Sequence, residues 1–112
     1  MTAIKNITEH SQRSEKAIEK YLASECKKLG GKALKYESAK HGGLPDRICM
    51  LPNGVLFWVE LKSKGQKPRP LQGLMIERLR DLGQRVYVAD SKEMVDLILK
   101  KEYEISAAPL PD

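Results

Sequence analysis

Nothing in this chain approaches the ~20 consecutive apolar residues that a membrane-spanning helix needs. Its first residues, with Lys5, Glu9 and Arg13, contain no apolar run of the kind an export signal carries. There are only two cysteines, Cys26 and Cys49, far apart and outside any C-x-x-C pair. With no histidine-cysteine cluster beside them, a disulfide framework and a zinc site are both excluded, and the thiols read as reduced and buried. Internal repeats and low-complexity segments are absent as well. These absences describe a soluble, unexported protein with no membrane partner.

What remains is 112 residues, 41% apolar and 31% charged. That suits one domain over residues 1–112 with a modest core and no room for a second. The net charge of +5 and pI near 9.2 favour a polyanionic partner. Distribution is more telling than the total. Lys62, Lys64, Lys67 and Arg69 follow one another with no acid between Glu60 and Glu77, and phosphate is the natural ligand of such a stretch.

Apolar residues Ile18, Tyr21, Leu22, Cys26 and Leu29 recur at three and four, predicting a helix from about Ser11 to Leu29, capped by Ser11 or Ser14 and stopped at Gly30-Gly31. A strand follows over residues 32–37, then a loop through Lys40-His41-Gly42-Gly43. Pro52-Asn53-Gly54 separates two β-prone runs, Arg47 to Leu51 and Val55 to Leu61, which marks a hairpin. Pro70 opens a second helix whose expected apolar stripe is Leu71, Leu74, Met75, Leu79 and Leu82, ending at Gly83. Residues 85–89 form a fourth strand. Ser91 caps a third helix with Glu93 in its first turn, Lys100-Lys101 in its last, and Met94, Val95, Leu97 and Ile98 facing inward. The core is placed over about 11–101, and 102–112 is expected to be an irregular tail. The order αβββαβα predicts an α/β fold of the α+β kind, a mixed sheet flanked by helices.

Glu60 and Lys62 leave the same face of a strand, together with Leu56 and Trp58. An isolated E-x-K is ordinarily a strand end emerging into solvent. Here the hairpin brings Asp46 alongside Glu60, and two converging carboxylates bind a hard divalent cation through oxygen, with a neighbouring ammonium able to hold water or offset charge on phosphorus. On the first helix Glu15 flanks the apolar stripe, whereas Glu19 and Glu25 read as solubilising charges. Gln72, in the first turn of the second helix, could meet a phosphate, a base or the attacking water, although helical glutamines mostly face solvent. His41 offers a DNA contact or an acid, Arg47 a partner for carboxylate or phosphate, and Trp58 and Tyr87 read as core.

With Ser14-Glu15-Lys16-Ala17-Ile18-Glu19, Gly43-Leu44-Pro45-Asp46-Arg47, Val59-Glu60-Leu61-Lys62, Leu71-Gln72 and the segment from Leu82-Gly83 to Val88 in this order, the chain resembles a stand-alone VRR-NUC domain. That family is a branch of the PD-(D/E)xK nucleases, with a restriction-endonuclease-like core. The resemblance implies a metal-dependent DNA endonuclease. Asp46, Glu60 and the Leu61 main-chain carbonyl would hold Mg2+ or Mn2+, with Glu15 a further ligand. Lys62 would assist the water, and Glu15 and Gln72 match the family's helix acid and glutamine. Lys40, His41, Lys64, Lys67 and Arg69 are expected to contact DNA. Small members are associated with branched DNA such as four-way junctions and act as homodimers, in the cytoplasm of a bacterial or phage-infected cell. The rival readings are a DNA-binding module of the same fold without catalysis, and a flap or duplex nuclease.

Overall fold

A computed structural model describes residues 2–36 and 42–108, with residues 2–13 described as backbone only. The elements are α1 (Thr2–Lys28), β1 (Lys32–Lys35), β2 (Arg47–Leu51), β3 (Val55–Leu61), α2 (Pro70–Asp81), β4 (Val86–Ala89) and α3 (Lys92–Ala107). The strands form one sheet in the order β1-β2-β3-β4. β1–β2 and β2–β3 pair antiparallel, and β3–β4 pair parallel through the α2 crossover, the mixed topology expected from the sequence. In the hairpin turn Asn53 takes φ 67°, a left-handed conformation that asparagine tolerates.

β3 organises the core. Val55, Phe57, Val59 and Leu61 alternate onto one face, all buried, with Ala33, Cys49 and Leu51 from its neighbours. Ile18, Leu22 and Cys26 of α1 and Val95, Ile98 and Leu99 of α3 cover that face in one apolar cluster. Both cysteines are free and buried there. The turn after α1 runs tight against β2: a Cβ on Gly31 would lie 2.2 Å from the Met50 carbonyl oxygen, so only glycine permits this approach. Leu34, Met50 and Leu56 lie on the opposite face of the sheet and stay partly exposed.

The structure revises four details. α1 begins at Thr2, so Ser11 and Ser14 lie inside the helix rather than at its start. The apolar spacing marks only the stretch that packs on the sheet, and the helix continues beyond it. In α2 only Ile76 is buried, while Leu71, Leu74 and Leu82 are exposed, Leu82 at 78%. This helix lies at the edge of the sheet with β4 as its strand contact, so most of its expected stripe faces away. α3, capped by Ser91 accepting from the Met94 amide, buries Val95, Ile98, Leu99, Glu102 and Ser106, whereas Met94 and Leu97 are exposed.

The fourth revision concerns the end of the chain, where residues 102–107 continue α3 and leave Lys100-Lys101 in mid-helix. Their anchor is Glu102, fully buried. It accepts from Arg85 Nε and Nη2, each at 2.8 Å, and from the Tyr87 hydroxyl at 2.5 Å. Asn53 Nδ2 donates to the Ser106 carbonyl at 2.5 Å and ties the hairpin turn to the same helix end. Removing the carboxylate by Glu102→Ala leaves a guanidinium and a hydroxyl without their partner, and should cost about 2 kcal/mol in urea unfolding, discounted because Arg85 is partly exposed. Glu104→Ala, at an exposed site on the same helix, should stay within about 0.5 kcal/mol of the parent.

Candidate active site

At the open end of the hairpin, the pairing of Arg47 with Val59 sets the residue before β2 alongside the residue after Val59. Asp46 and Glu60 therefore meet. The peptide amide of Leu61 donates to Asp46 Oδ2 at 2.9 Å, fixing the first carboxylate against the end of β3. Lys62 is held by its own amide, which donates to the Ala89 carbonyl at 2.9 Å, and its side chain is buried although it ends the strand. Upstream, the Tyr36 hydroxyl donates to the Pro45 carbonyl. Gly43 has φ 86°, and a Cβ there would come within 3.0 Å of the Leu71 carbonyl oxygen, so the loop that delivers Asp46 presses directly on the start of α2.

Glu60 is 1% exposed, and no hydrogen-bond donor reaches either carboxylate oxygen. Its neighbours are the Asp46 carboxyl, which disfavours its charge, and the Lys62 ammonium and Asp46 backbone amide, which act more weakly in its favour. Burial first, and the Asp46 carboxyl next, push Glu60 up to about 9. Two hard oxygen ligands, one buried without a donor, are a donor set that fits a divalent cation such as Mg2+ or Mn2+. Among the described residues no group of three or more His, Cys, Asp or Glu side chains gathers closely enough to hold a metal ion. Glu15 thus stands outside the pair. Burial pushes its pKa up, the nearby Lys62 ammonium pulls it down and the Asp46 carboxylate pushes it up, which places Glu15 within the field of the site.

Glu19 and Glu25 of α1 are engaged elsewhere. Glu19 accepts from Arg47 Nε at 2.8 Å, while Arg47 Nη1 donates to the Ala33 carbonyl at 2.8 Å, a clamp between α1 and the sheet. Glu25 pairs with Lys28 at 3.0 Å. Gln72 closes back on its own helix, its Oε1 accepting from the Arg69 amide at 2.9 Å, so its carbonyl serves the helix start. Lys64, Lys67 and Arg69 are exposed on the loop between β3 and α2, which the Gly65 amide fastens to Asp90 Oδ2 at 3.1 Å. Lys40 and His41 lie outside the described residues. Trp58 is half-buried, donating to Gln84 Oε1 at 2.9 Å. Tyr87 is also half-buried, its ring edge-on to Phe57 and its hydroxyl on Glu102.

One residue of the site escaped the sequence reading. Tyr36 stacks edge-on against Trp58 with ring centroids 6.4 Å apart, and burial together with Asp46 and Glu60 pushes its hydroxyl up to about 12. Alternation could have located it, since Leu34 registers with Ile48 and Ile48 with Trp58, and Tyr36 continues that row toward Glu60.

No family model matches the chain. It is 44% identical over 84 residues to "Putative nuclease p44" of Acyrthosiphon pisum secondary endosymbiont phage 1, covering 75% of this chain and 90% of the relative. A solved structure titled "VRR_NUC domain" superimposes with a TM-score of 0.72 at 34% identity, covering 78% of this chain and 95% of that one.

The acidity of Glu60 has a consequence for stability. Its ordinary value is near 4.5 and its folded value about 9, so between these limits the folded chain holds a proton that the unfolded chain has released. Stability attributable to this group is therefore complete below pH 4.5 and drains away as pH rises toward 9. In metal-free buffer with EDTA, Glu60→Gln should flatten that decline and raise Tm at pH 8 by about 5 °C, as a gain of roughly 1 kcal/mol implies for a domain near this size. Thermal unfolding of both proteins from pH 5 to 9 checks it.

Proposed function

The chain belongs to the VRR-NUC family, and from that premise we propose that it is a divalent-metal-dependent DNA endonuclease acting on branched DNA. The observation that supports this most is the buried Glu60 carboxyl, left without a donor beside Asp46. A structural carboxylate would be satisfied, as Glu102 is. Asp46, Glu60 and the Leu61 carbonyl would hold Mg2+ or Mn2+. When bound, the cation supplies positive charge to the scissile phosphate and acidifies water there.

The chain's own groups do the rest. The Leu61 amide orients Asp46 through its hydrogen bond, so the carboxylate is set before substrate arrives. Lys62 holds the attacking water and offsets the negative charge that grows on the phosphoryl oxygens. Glu15 is within electrostatic range of that ammonium and helps direct it, a positioning role. In-line attack by water on phosphorus breaks the bond to the 3′ oxygen; the water gives up a proton to solvent, the 3′ oxygen leaves with a proton taken from solvent, and a 5′ phosphate results. Gln72 serves this reaction through the backbone, by fixing the end of the basic loop at the start of α2. Lys64, Lys67 and Arg69 supply phosphate contacts from that loop.

Asp46→Ala, Glu60→Ala and Lys62→Ala should each lower cleavage by about a thousandfold, the scale of losing one group that acts in the transition state. DNA binding in EDTA should change little. A panel of duplex, flap, splayed and four-way DNA with Mg2+, Mn2+ or EDTA reads both substrate and cation. Cutting that survives EDTA, or all three substitutions, overturns the assignment. Preference for flaps or plain duplex would replace the junction reading, and binding without any cutting would mark a non-catalytic module.

Cutting a four-way junction takes two symmetric nicks, and each chain offers one such site, so we place the active form as a two-fold homodimer. Exposed Leu97, Tyr103 and Ile105 on α3 are its candidate contacts. Light scattering at micromolar concentration, with and without junction DNA, should give twice the mass of one chain; a monomer in both states refutes the dimer.

A further inference from the structure

Beside the carboxylate pair lies a second charged feature that the reaction does not use. A cavity of about 230 Å³ is lined by Lys16, Glu19, Lys20, Lys35 and Arg47, four cations around one carboxylate. That carboxylate is already committed: Glu19 accepts from Arg47 at 2.8 Å and lies 3.8 Å from Lys35 Nζ. Among the described residues Lys16 and Lys20 have no ion-pair partner, and both are exposed. Standing at i and i+4 on one helix, they repel each other.

Other grooves differ. The one between α1 and α3, lined by Glu25, Lys28, Asp96 and Lys100 among others, is charge-balanced. The cavity beside Arg80, Arg85 and Lys101 has its guanidiniums taken up by the Val86 carbonyl and by Glu102. A groove at Lys27 and Lys32 also holds cations without an acid, but it lies about 18 Å along α1 from Glu15 at helical rise, and the cavity at Lys16 gathers more cations.

Its position relative to the site gives it meaning. Lys16 directly follows Glu15, Arg47 directly follows Asp46 and Lys35 directly precedes Tyr36, so α1 and the β1–β2 edge of the sheet serve both the site and the cavity, while β3 serves the site alone. From Glu15 to Glu19 is one helical turn, about 6 Å. A nucleic-acid strand advances about 3.4 Å per nucleotide. Resting on the endonuclease reading above, we propose that Lys16, Lys20 and Lys35, with Arg47 at the base, form a second phosphate-binding site that grips the DNA backbone about two nucleotides from the scissile bond. The loop carrying Lys64, Lys67 and Arg69 reaches the site from β3 and α2. The backbone is thus held from both the α1 side and the α2 side.

The test is fluorescence anisotropy of a labelled DNA duplex with the full chain in EDTA, over a series of KCl concentrations. The probe protein is Lys16→Ala/Lys20→Ala/Lys35→Ala, three exposed changes, with circular dichroism to confirm folding. A charge-matched control is Lys27→Ala/Lys28→Ala/Lys100→Ala, beginning about 16 Å further along α1 at helical rise. We expect the first variant to lose two to three units from the log-log salt slope, at about 0.9 per duplex phosphate contact, and to bind roughly tenfold or more weakly near 0.1 M salt. The control should change by less than one unit. An unchanged slope in the first variant, or an equal loss in both, overturns the second site. Metal-dependent cleavage by that variant at saturating protein then shows that the nuclease reading survives it. Absence of both binding and cleavage in the parent protein would sink both together.

Discussion

A buried carboxyl group whose two oxygens lack a well-formed hydrogen bond sets the terms for this fold. Carrying a charge into a dry site costs far more than one side chain's packing can return, so in the absence of a cation Glu60 keeps its proton. The rest of β3 makes that position inescapable. Val55, Phe57, Val59 and Leu61 anchor one face under α1 and α3, and a one-residue slip would turn all four to the other side. The hairpin register then brings Asp46 to the same place, and the Leu61 amide locks it.

Two buried carboxylates show how environment separates structure from chemistry. Glu102 is surrounded by the Arg85 guanidinium and the Tyr87 hydroxyl, so its charge is met within the chain, and its effect is to fasten α3 to β4. Glu60 has an acid for its neighbour and no donor. On α1 the same division separates Glu19, spent on the Arg47 clamp, from Glu15, which remains in the field of Lys62 and Asp46. Cationic side chains divide likewise. Arg47, Arg80 and Arg85 are tied to carboxylates or carbonyls, whereas Lys16, Lys20, Lys64 and Lys67 are exposed.

Much of this was legible because the signals are local. The Pro52-Asn53-Gly54 turn, the alternation of β3 and the glycine stops after α1 and α2 each act within a few residues, and together they fixed the element order and the meeting of Asp46 with Glu60. Glu15 was separable from Glu19 by helical angle, and the structure places Glu15 toward Lys62 and Asp46. What escaped depends on partners distant in sequence. Glu102 reads as the polar start of a tail until Arg85 and Tyr87 stand beside it. The leucines of α2 read as a core stripe because their spacing is helical, yet a helix at a sheet edge has too little surface beneath it to bury them. Tyr36 stayed hidden because its role comes from neighbours across the sheet.

The central claim is that Asp46 and Glu60 exist to hold a divalent cation. Isothermal titration of Mn2+ into the DNA-free chain at pH 7.5, in two buffers of different ionisation enthalpy, tests it without reference to cleavage. The protein should bind the ion and release about one proton, because Glu60 must give up its proton to become a ligand. Glu60→Gln should bind Mn2+ at least tenfold more weakly and release none. Equal affinity in the two proteins would contradict the claim.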